Sequence, residues 1–489
     1  MKIWTKLIII FIIGIVITAI GLTGGLLWSS VYSSVLFKEL SLTPESTNYK
    51  LWTKTPIPMY LKIYMFNLTN AENFGVIKGE KPNFVEMGPY VFSEVDTKVQ
   101  ETWNKNGTIT YQRKRVWRFE ESMSNGSLSD NVTNINAVTA SVVYALRYKM
   151  EFFKEMADRI MRMVDQKLVV TKTVNELLFE GYNDTMLNIA RKLNVTEIPF
   201  TKFGWFVDRN GTASYDGTFN MLTGESDLHN LGMLTEWNFK NRVSYYPGEC
   251  GVVKGTNGDL WPPLTDNETI SFFVSDICTS LTARYNNTVV HEGLTGVRYT
   301  SDDTLLDNGS KVPSRRCYCE GDCVPSGALN ISLCKWGAPA FISLPHFYLA
   351  DPSYRENITG MIPDREKHEL SIALEPKTGV PLKVNAQLQL NLLLLHDDVM
   401  SMFKNVTNTF VPMLWFTQEA RLTSDYASII KFILILRTLG SVTLIGIAAI
   451  GVLIISIGVF LFIRHSLRGE ENQTLLSNNA NSESSIING

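Results

Sequence analysis

The sequence predicts an α+β membrane protein, in which a large lumenal or extracellular domain, mostly β with one helical cluster, is carried between two transmembrane helices. Three observations lead there. Leu7 to Trp28 and Thr438 to Ile463 are uncharged apolar runs, each long enough at about 1.5 Å per residue to cross a bilayer core of roughly 30 Å. Thirteen Asn-x-Ser/Thr sequons, none with an intervening proline, are spread over the region between the runs. Within that region, alternating strand patterns flank one stretch of helical periodicity.

The chain divides accordingly into an N-terminal cytosolic tail (1–6), a first span (7–28), an ectodomain (29–437), a second span (438–463) and a C-terminal cytosolic tail (464–489). Lys2 and Lys6 precede the first span, and Arg464, His465 and Arg468 follow the second. That places both tails inside, although Lys431 and Arg437 on the opposite flank reduce the bias. A cleaved signal peptide is the alternative for the first run, which is longer than an h-region of roughly 7 to 15 residues. The sequons head at Asn67, Asn106, Asn125, Asn131, Asn183, Asn194, Asn210, Asn267, Asn286, Asn308, Asn330, Asn357 and Asn405. They favour exposure to the secretory lumen, where glycans are added.

In the ectodomain, Leu61, Ile63 and Met65 alternate with polar neighbours as a half-buried strand does. FVEMGPYVFSE (84–94) offers Gly88-Pro89 as a turn, and KVQETW and TITYQRKRVWRF form a hairpin about Asn106-Gly107. From Ala137 to Gln166, the positions Val138, Val142, Leu146, Met150, Phe153, Met156, Ile160 and Val164 recur at helical spacing. Phe152, Met161 and Met163 fall off that face, either as ordinary packing or as a partner surface of flexible side chains. TVNE from Thr173 has the spacing of a capping box, Gly181 interrupts, and Thr185 to Leu193 resume a helical pattern. Leu382 to Leu392 alternate strictly between apolar and polar residues, a strand that lines a cavity or packs on a filled core.

Six cysteines occur: Cys250, Cys278, Cys317, Cys319, Cys323 and Cys334. Their density beside Gly, Pro and Ser suits disulfides or a thiolate zinc site, and an oxidising lumen favours disulfides; no metal or cofactor is expected. A net charge of −3 argues against a nucleic-acid partner. With no GxSxG, HExxH, P-loop or dinucleotide fingerprint, the sequence is not read as an enzyme, and His346 in SLPHF is read as structural.

Taken together, EMGPYVF, SYYPGECGVVKGTNGDLWPP, SDIC, CYC, ISLPHF and LEPKTG, in this order between two terminal spans, resemble the scavenger receptor class B family, which includes fatty acid translocase and the lysosomal integral membrane proteins. The resemblance implies a β-barrel-like ectodomain with a helical apex bundle (137–193) and an apolar tunnel toward the bilayer. It implies the disulfides Cys250–Cys317, Cys278–Cys334 and Cys319–Cys323. It also implies ligand capture by basic side chains of the apex, here Lys149, Lys154, Arg159, Arg162, Lys167 and Lys172, with Lys167 as partner for a fatty acid carboxylate. The structural alternative is a solvated helix face balanced by Glu151, Glu155, Asp158 and Asp165.

In the C-terminal tail, Glu471, Leu475 and Leu476 have the spacing of an acidic dileucine sorting signal for clathrin adaptors, and neither tail carries a cysteine for palmitoylation. The expected location is the plasma membrane, the endosome-lysosome system, or both. Gly21 and Gly25 form a GxxxG pair that packs the two spans together or joins copies into a homo-oligomer. Two functions follow: a scavenger-type receptor that transfers lipids, or lipid from lipoprotein-like particles, to the membrane, and a sorting receptor that holds a lumenal protein on the apex helices.

Overall fold

The computed structural model describes residues 2–193, 198–265, 268–319 and 323–486, with side chains over 3–475 of these. Two compact units emerge, one made of residues 1–38 and 425–489 and the other of 39–424. In the first, α1 (Lys2–Leu40) and α7 (Ser424–Ile486) are both long and apolar enough to cross a membrane, and each runs well past its predicted span. The two helices approach closely through small residues. A Cβ added to Gly21 would lie 2.4 Å from the backbone nitrogen of Ala448, and one on Gly25 would meet Leu444 and Ile445. The GxxxG pair is thus occupied by packing within the chain.

The second unit contains α2 (Thr47–Thr53), β1 (Met59–Leu68), β2 (Phe84–Trp103), β3 (Thr108–Phe119), β4 (Asn131–Ile135), α3 (Ala137–Leu146), α4 (Glu151–Met163), β5 (Val169–Thr173) and α5 (Thr185–Lys192). There follow β6 (Thr218–Leu222), β7 (Leu234–Trp237), β8 (Thr269–Val274), β9 (Thr279–His291), β10 (Leu294–Thr300), β11 (Ala328–Asn330), β12 (Ala340–Ser343), α6 (Arg365–His368), β13 (Ser371–Leu374), β14 (Pro381–Leu394) and β15 (Thr409–Arg421). Thirteen strands form one sheet, ordered β7-β6-β3-β2-β1-β15-β14-β13-β10-β9-β8, with β11 and β12 branching from β14.

Its two ends are bridged by a single segment. Leu234 on β7 donates its N–H to Gly255 (2.8 Å), and the next residue, Thr256, exchanges bonds with Ser271 and Phe273 of β8. The sheet is therefore nearly closed into a barrel. Gly255 sits at φ +81°, and a Cβ there would come within 2.2 Å of the Ser271 carbonyl oxygen, so the bridge needs glycine.

Three local expectations need correction. Gly88-Pro89 is not a turn: it lies inside β2, where the register against β1 shifts between Ile63 and Met65, so the pair supplies a bulge. The helical stretch from Ala137 is two helices broken at 147–150, followed by a strand, β5, paired with β4. Periodicity cannot separate one long helix from two that turn their apolar faces to a common interior. Strand β14 lacks a solvated polar face, because Gln387, Gln389 and Asn391 are buried. Gln389 accepts the His346 N–H at 2.7 Å and donates to Asn391, which in turn donates to Ser343.

The capping box forms as written: the Thr173 N–H donates to Glu176 (2.9 Å) and the Glu176 N–H to the Thr173 hydroxyl (3.2 Å). It opens a short π-type turn at Glu176–Glu180 rather than an α-helix. Disulfides join Cys250 to Cys317, Cys278 to Cys334 and Cys319 to Cys323.

Candidate functional site: an apolar cavity with a charged mouth

Between the helical cluster and the inner face of the sheet lies a cavity of about 1100 Å³. From the helices it is lined by Val142, Phe153, Met156, Ile160 and Ile189, and from the strands by Leu390, Leu392, Leu414 and Phe416. Along β14, then, Leu390 and Leu392 face the cavity whereas Leu382 and Leu388 are buried in packed interior. The volume lies just above the roughly 300–1000 Å³ usual for ligand pockets.

Polar ties at their ends hold the helices around this space. Asn136 caps α3 by accepting from Val138 and Thr139, and Asp184 caps α5 by accepting from Met186 and Leu187. The caps are joined, since Asp184 also accepts from Asn136 (3.1 Å) and Gln166 (2.9 Å). Helix α4 is fixed to the segment after β14 by the Lys154–Asp397 pair at 2.6 Å and by Asp158, which accepts from the backbone and hydroxyl of Ser401. The helices therefore stand apart without collapsing onto the sheet.

One end of the cavity is charged. Arg209 donates to Asp216 at 3.0 Å and to Asp276 at 2.8 Å, and Arg115 binds Asp216 from the strand side at 2.5 Å. Burial alone would raise the carboxyl pKa of Asp216, but Arg115 and Arg209 outweigh it and hold the group well below the usual carboxylate range. Asp276 is lowered too, with burial opposed chiefly by Arg209. Beside them stands Lys335, whose pKa burial pushes down against the pull of Asp276. The Cys278–Cys334 disulfide lines the cavity at this end and lies next to Lys335 and two residues from Asp276, tying the two charged positions together.

A second cluster combines Glu86, His346 and His368. His346 Nε2 meets the Glu86 carboxylate at 2.6 Å, Trp415 donates to the same oxygen at 2.7 Å, and the two imidazoles stack with centroids 4.4 Å apart. Each Nδ1 accepts a backbone N–H, from Ile362 for His346 and from Asp364 for His368. In the neutral ring Nε2 then carries the proton, whereas a histidine bound to metal through Nε2 would point an Nδ1–H at those donors. The three side chains thus form one hydrogen-bonded cluster between β2, β15 and the segments around His346 and His368.

The basic residues proposed for ligand capture do not converge. Lys154 pairs with Asp397, Arg159 with Glu155, Arg162 with Asp158, Lys167 with Asp165 and Lys172 with Glu176, while Lys149 is exposed. None of the six lines the cavity, and Lys167 is exposed and paired with Asp165 at 2.6 Å. Of the sequon asparagines, Asn106, Asn125, Asn131, Asn183, Asn210 and Asn286 are exposed. Asn67, Asn330, Asn357 and Asn405 are half-buried, and Asn308 is buried with its amide donating to the Val324 and Pro325 carbonyls. A glycan on Asn308 would require that loop to open. Asn194, Asn267 and the side chain of Leu476 lie outside the described residues, and Leu475 is exposed.

Sequence reasoning missed Arg209, Asp216, Asp276 and Lys335. The available signal was the placement of Asp276 and Lys335 beside two cysteines, in SDIC and CKWG.

Comparison with known proteins agrees with this architecture. The CD36 family profile matches residues 11–462. The chain is 34% identical over 419 residues to Protein peste of Drosophila melanogaster, covering 85% of this chain and 75% of that protein. It is 32% identical to scavenger receptor class B member 1 of Rattus norvegicus over 83% of this chain and 79% of the receptor. With lysosome membrane protein 2 of Homo sapiens it shares 31% identity over 91% of both chains. A near-closed sheet, two apolar terminal helices and a profile match over nearly the whole chain together place this integral membrane protein in the CD36 family.

Proposed function

We propose that this protein is a scavenger-type receptor that takes up single lipid molecules in its ectodomain cavity and passes them through the barrel to the membrane. The carrying observation is the apolar space of about 1100 Å³ held open beneath α3, α4 and α5. A preformed, largely apolar pocket of this size suits an acyl chain or a sterol, since apolar transfer is favourable by about 0.8 kcal/mol per buried CH₂. The relatives named scavenger receptor class B member 1 support a receptor role.

A diazirine-bearing fatty acid, photolysed with the full-length chain, is expected to label peptides spanning 137–163, 185–193 and 331–342. Labelling confined to α1 and α7 would remove the cavity from the mechanism.

A second reading is favoured by exposed apolar side chains on the helical cluster. Tyr148 is 78%, Phe152 66% and Met163 84% exposed, more than a solvated face needs. Under this reading a lumenal protein docks there, and adaptors bound at Glu471, Leu475 and Leu476 deliver it to lysosomes. The double change F152E/M163E is then expected to lose a co-purifying lumenal protein. Leu475→Ala with Leu476→Ala would retain the protein but shift the receptor to the cell surface. Unchanged co-purification in the helix variant counts against this reading.

A further inference from the structure

Between the cavity and the end of the barrel at which the chain enters from α1, the interior is charged. Phe416, part of the cavity wall, pairs with Ile63, and Met59 at the start of β1 pairs with Glu94. Asp96 and Lys98 therefore lie beyond the start of β1, on the α1 side. They are 1% and 4% exposed, and Lys98 stands 5.7 Å from the Trp52 ring of α2. Opposite them on β3 are Arg115 and Arg113, and Arg115 reaches Asp216 at the end of the cavity. Paired charges thus follow one another from the cavity to α2. An acyl chain or a sterol cannot solvate them, so this part of the barrel excludes lipid as it stands.

One side of the charged stretch is a strap. Residues 256–260 leave the wall at the Gly255 bridge and return to packed interior at Trp261, which is buried and whose carbonyl leaves no room for a Cβ on Gly379. From the strap, Asp259 binds Lys98 at 3.0 Å and Arg113 at 3.2 Å, and Asn257 donates to the Tyr111 hydroxyl. The strap turns at Gly258 (φ +88°), where an added Cβ would meet no atom within 4 Å, so it borders open space. Asp96 meanwhile holds the same two cations, Lys98 at 3.0 Å and Arg113 at 2.6 Å. Withdrawal of Asp259 therefore leaves neither cation without a carboxylate. The Asp259 side chain is already 16% exposed, against 1% for Asp96, so it is the carboxylate that water can receive.

We infer that residues 256–260 are a gate in the barrel and that Asp259 is its latch: lipid held in the cavity is delivered only after the strap withdraws, so uptake and delivery are separate steps. The inference rests on the cavity being a lipid site with delivery through the barrel, as proposed above. A gate of this kind sets the rate of delivery without taking part in binding.

The test uses the full-length chain and dehydroergosterol, a fluorescent sterol. Uptake is read in detergent as energy transfer from tryptophan. Delivery is read as the rate at which the sterol passes from phosphatidylcholine donor vesicles to vesicles holding the protein and a dansyl-labelled phospholipid, with the protein-free rate subtracted. Asp259→Asn is expected to speed delivery about tenfold and to leave uptake unchanged, while Asp259→Glu delivers as wild type does. Asn257→Ala frees the strap from Tyr111 and keeps the Asp259 ion pairs; it should also speed delivery, and it carries the test if Asp259→Asn fails to fold. Delivery no faster than wild type in both variants, with uptake intact, overturns the gate and leaves the cavity reading standing. Ala145→Trp, which fills the cavity, should abolish uptake, and uptake that survives it removes the cavity reading itself.

Discussion

Asp216→Ala is expected to cost the ectodomain about 3–5 kcal/mol, the usual penalty for removing one partner of a buried ionic network. Asp216 and Arg209 are each only 5% exposed, and the substitution takes away the carboxylate that Arg115 and Arg209 share. The Nε of each arginine already lacks a partner; without Asp216, Arg209 keeps Asp276, whereas Arg115 loses the one ion pair recorded for it among the described residues. The loss should appear as a lowered midpoint in thermal unfolding and as poor surface expression. Combining Asp216→Leu with Arg115→Met should be less damaging than Asp216→Ala alone, because it removes the stranded charge and leaves Arg209 its bond to Asp276. A double variant as unstable as the sum of the singles would show that the network is not what holds this region.

The second large effect is one of pH. His368 is 3% exposed and stacked on His346; burial, with His346 next, pushes its pKa down from 6.5 to about 4. Between those values the unfolded chain binds the proton and the folded chain does not. Stability therefore falls as pH drops from about 6.5 toward 4, by roughly 3 kcal/mol at the limit. Glu86 acts in the same direction at lower pH. Burial would raise its pKa, but hydrogen bonds from His346 and Trp415 bring it below the ordinary value, so its contribution is lost as pH falls through that lowered value. Thermal unfolding at pH 7.4 and pH 5 should show wild type losing stability and His368→Gln losing less. An equal loss in both proteins would assign the acid sensitivity elsewhere.

Much of this architecture could be read from residue order. Strand β1 alternates as written, the Asn106-Gly107 hairpin joins β2 to β3, and the Thr173–Glu176 box forms. The charged interior was hidden because it inverts the pattern that strand reading depends on. On β2, Glu94, Asp96 and Lys98 are buried while Val95 is 40% exposed. On β3, Arg113 and Arg115 join the same inner network. Alternation reports which residues share a face, but the assumption that the apolar set faces inward fails where ion pairs fill the interior. The cavity mouth escaped for another reason. Asp216, Asp276 and Lys335 lie far apart in sequence, and only the closure of the barrel brings them together.

The strand order also bears on when this domain is able to fold during synthesis. Strand β15 lies between β1 and β14, with Met65 opposite Leu414 and Leu390 opposite the same residue on its other side. The strand that enters the sheet first thus waits for a neighbour encoded some 350 residues later, and until Thr409–Arg421 emerges both flanking strands present open hydrogen-bonding edges. Closure is a late event, set by the last part of the ectodomain to leave the ribosome. A chain ending before Thr409 would retain two sticky edges and would be prone to aggregation rather than to partial activity.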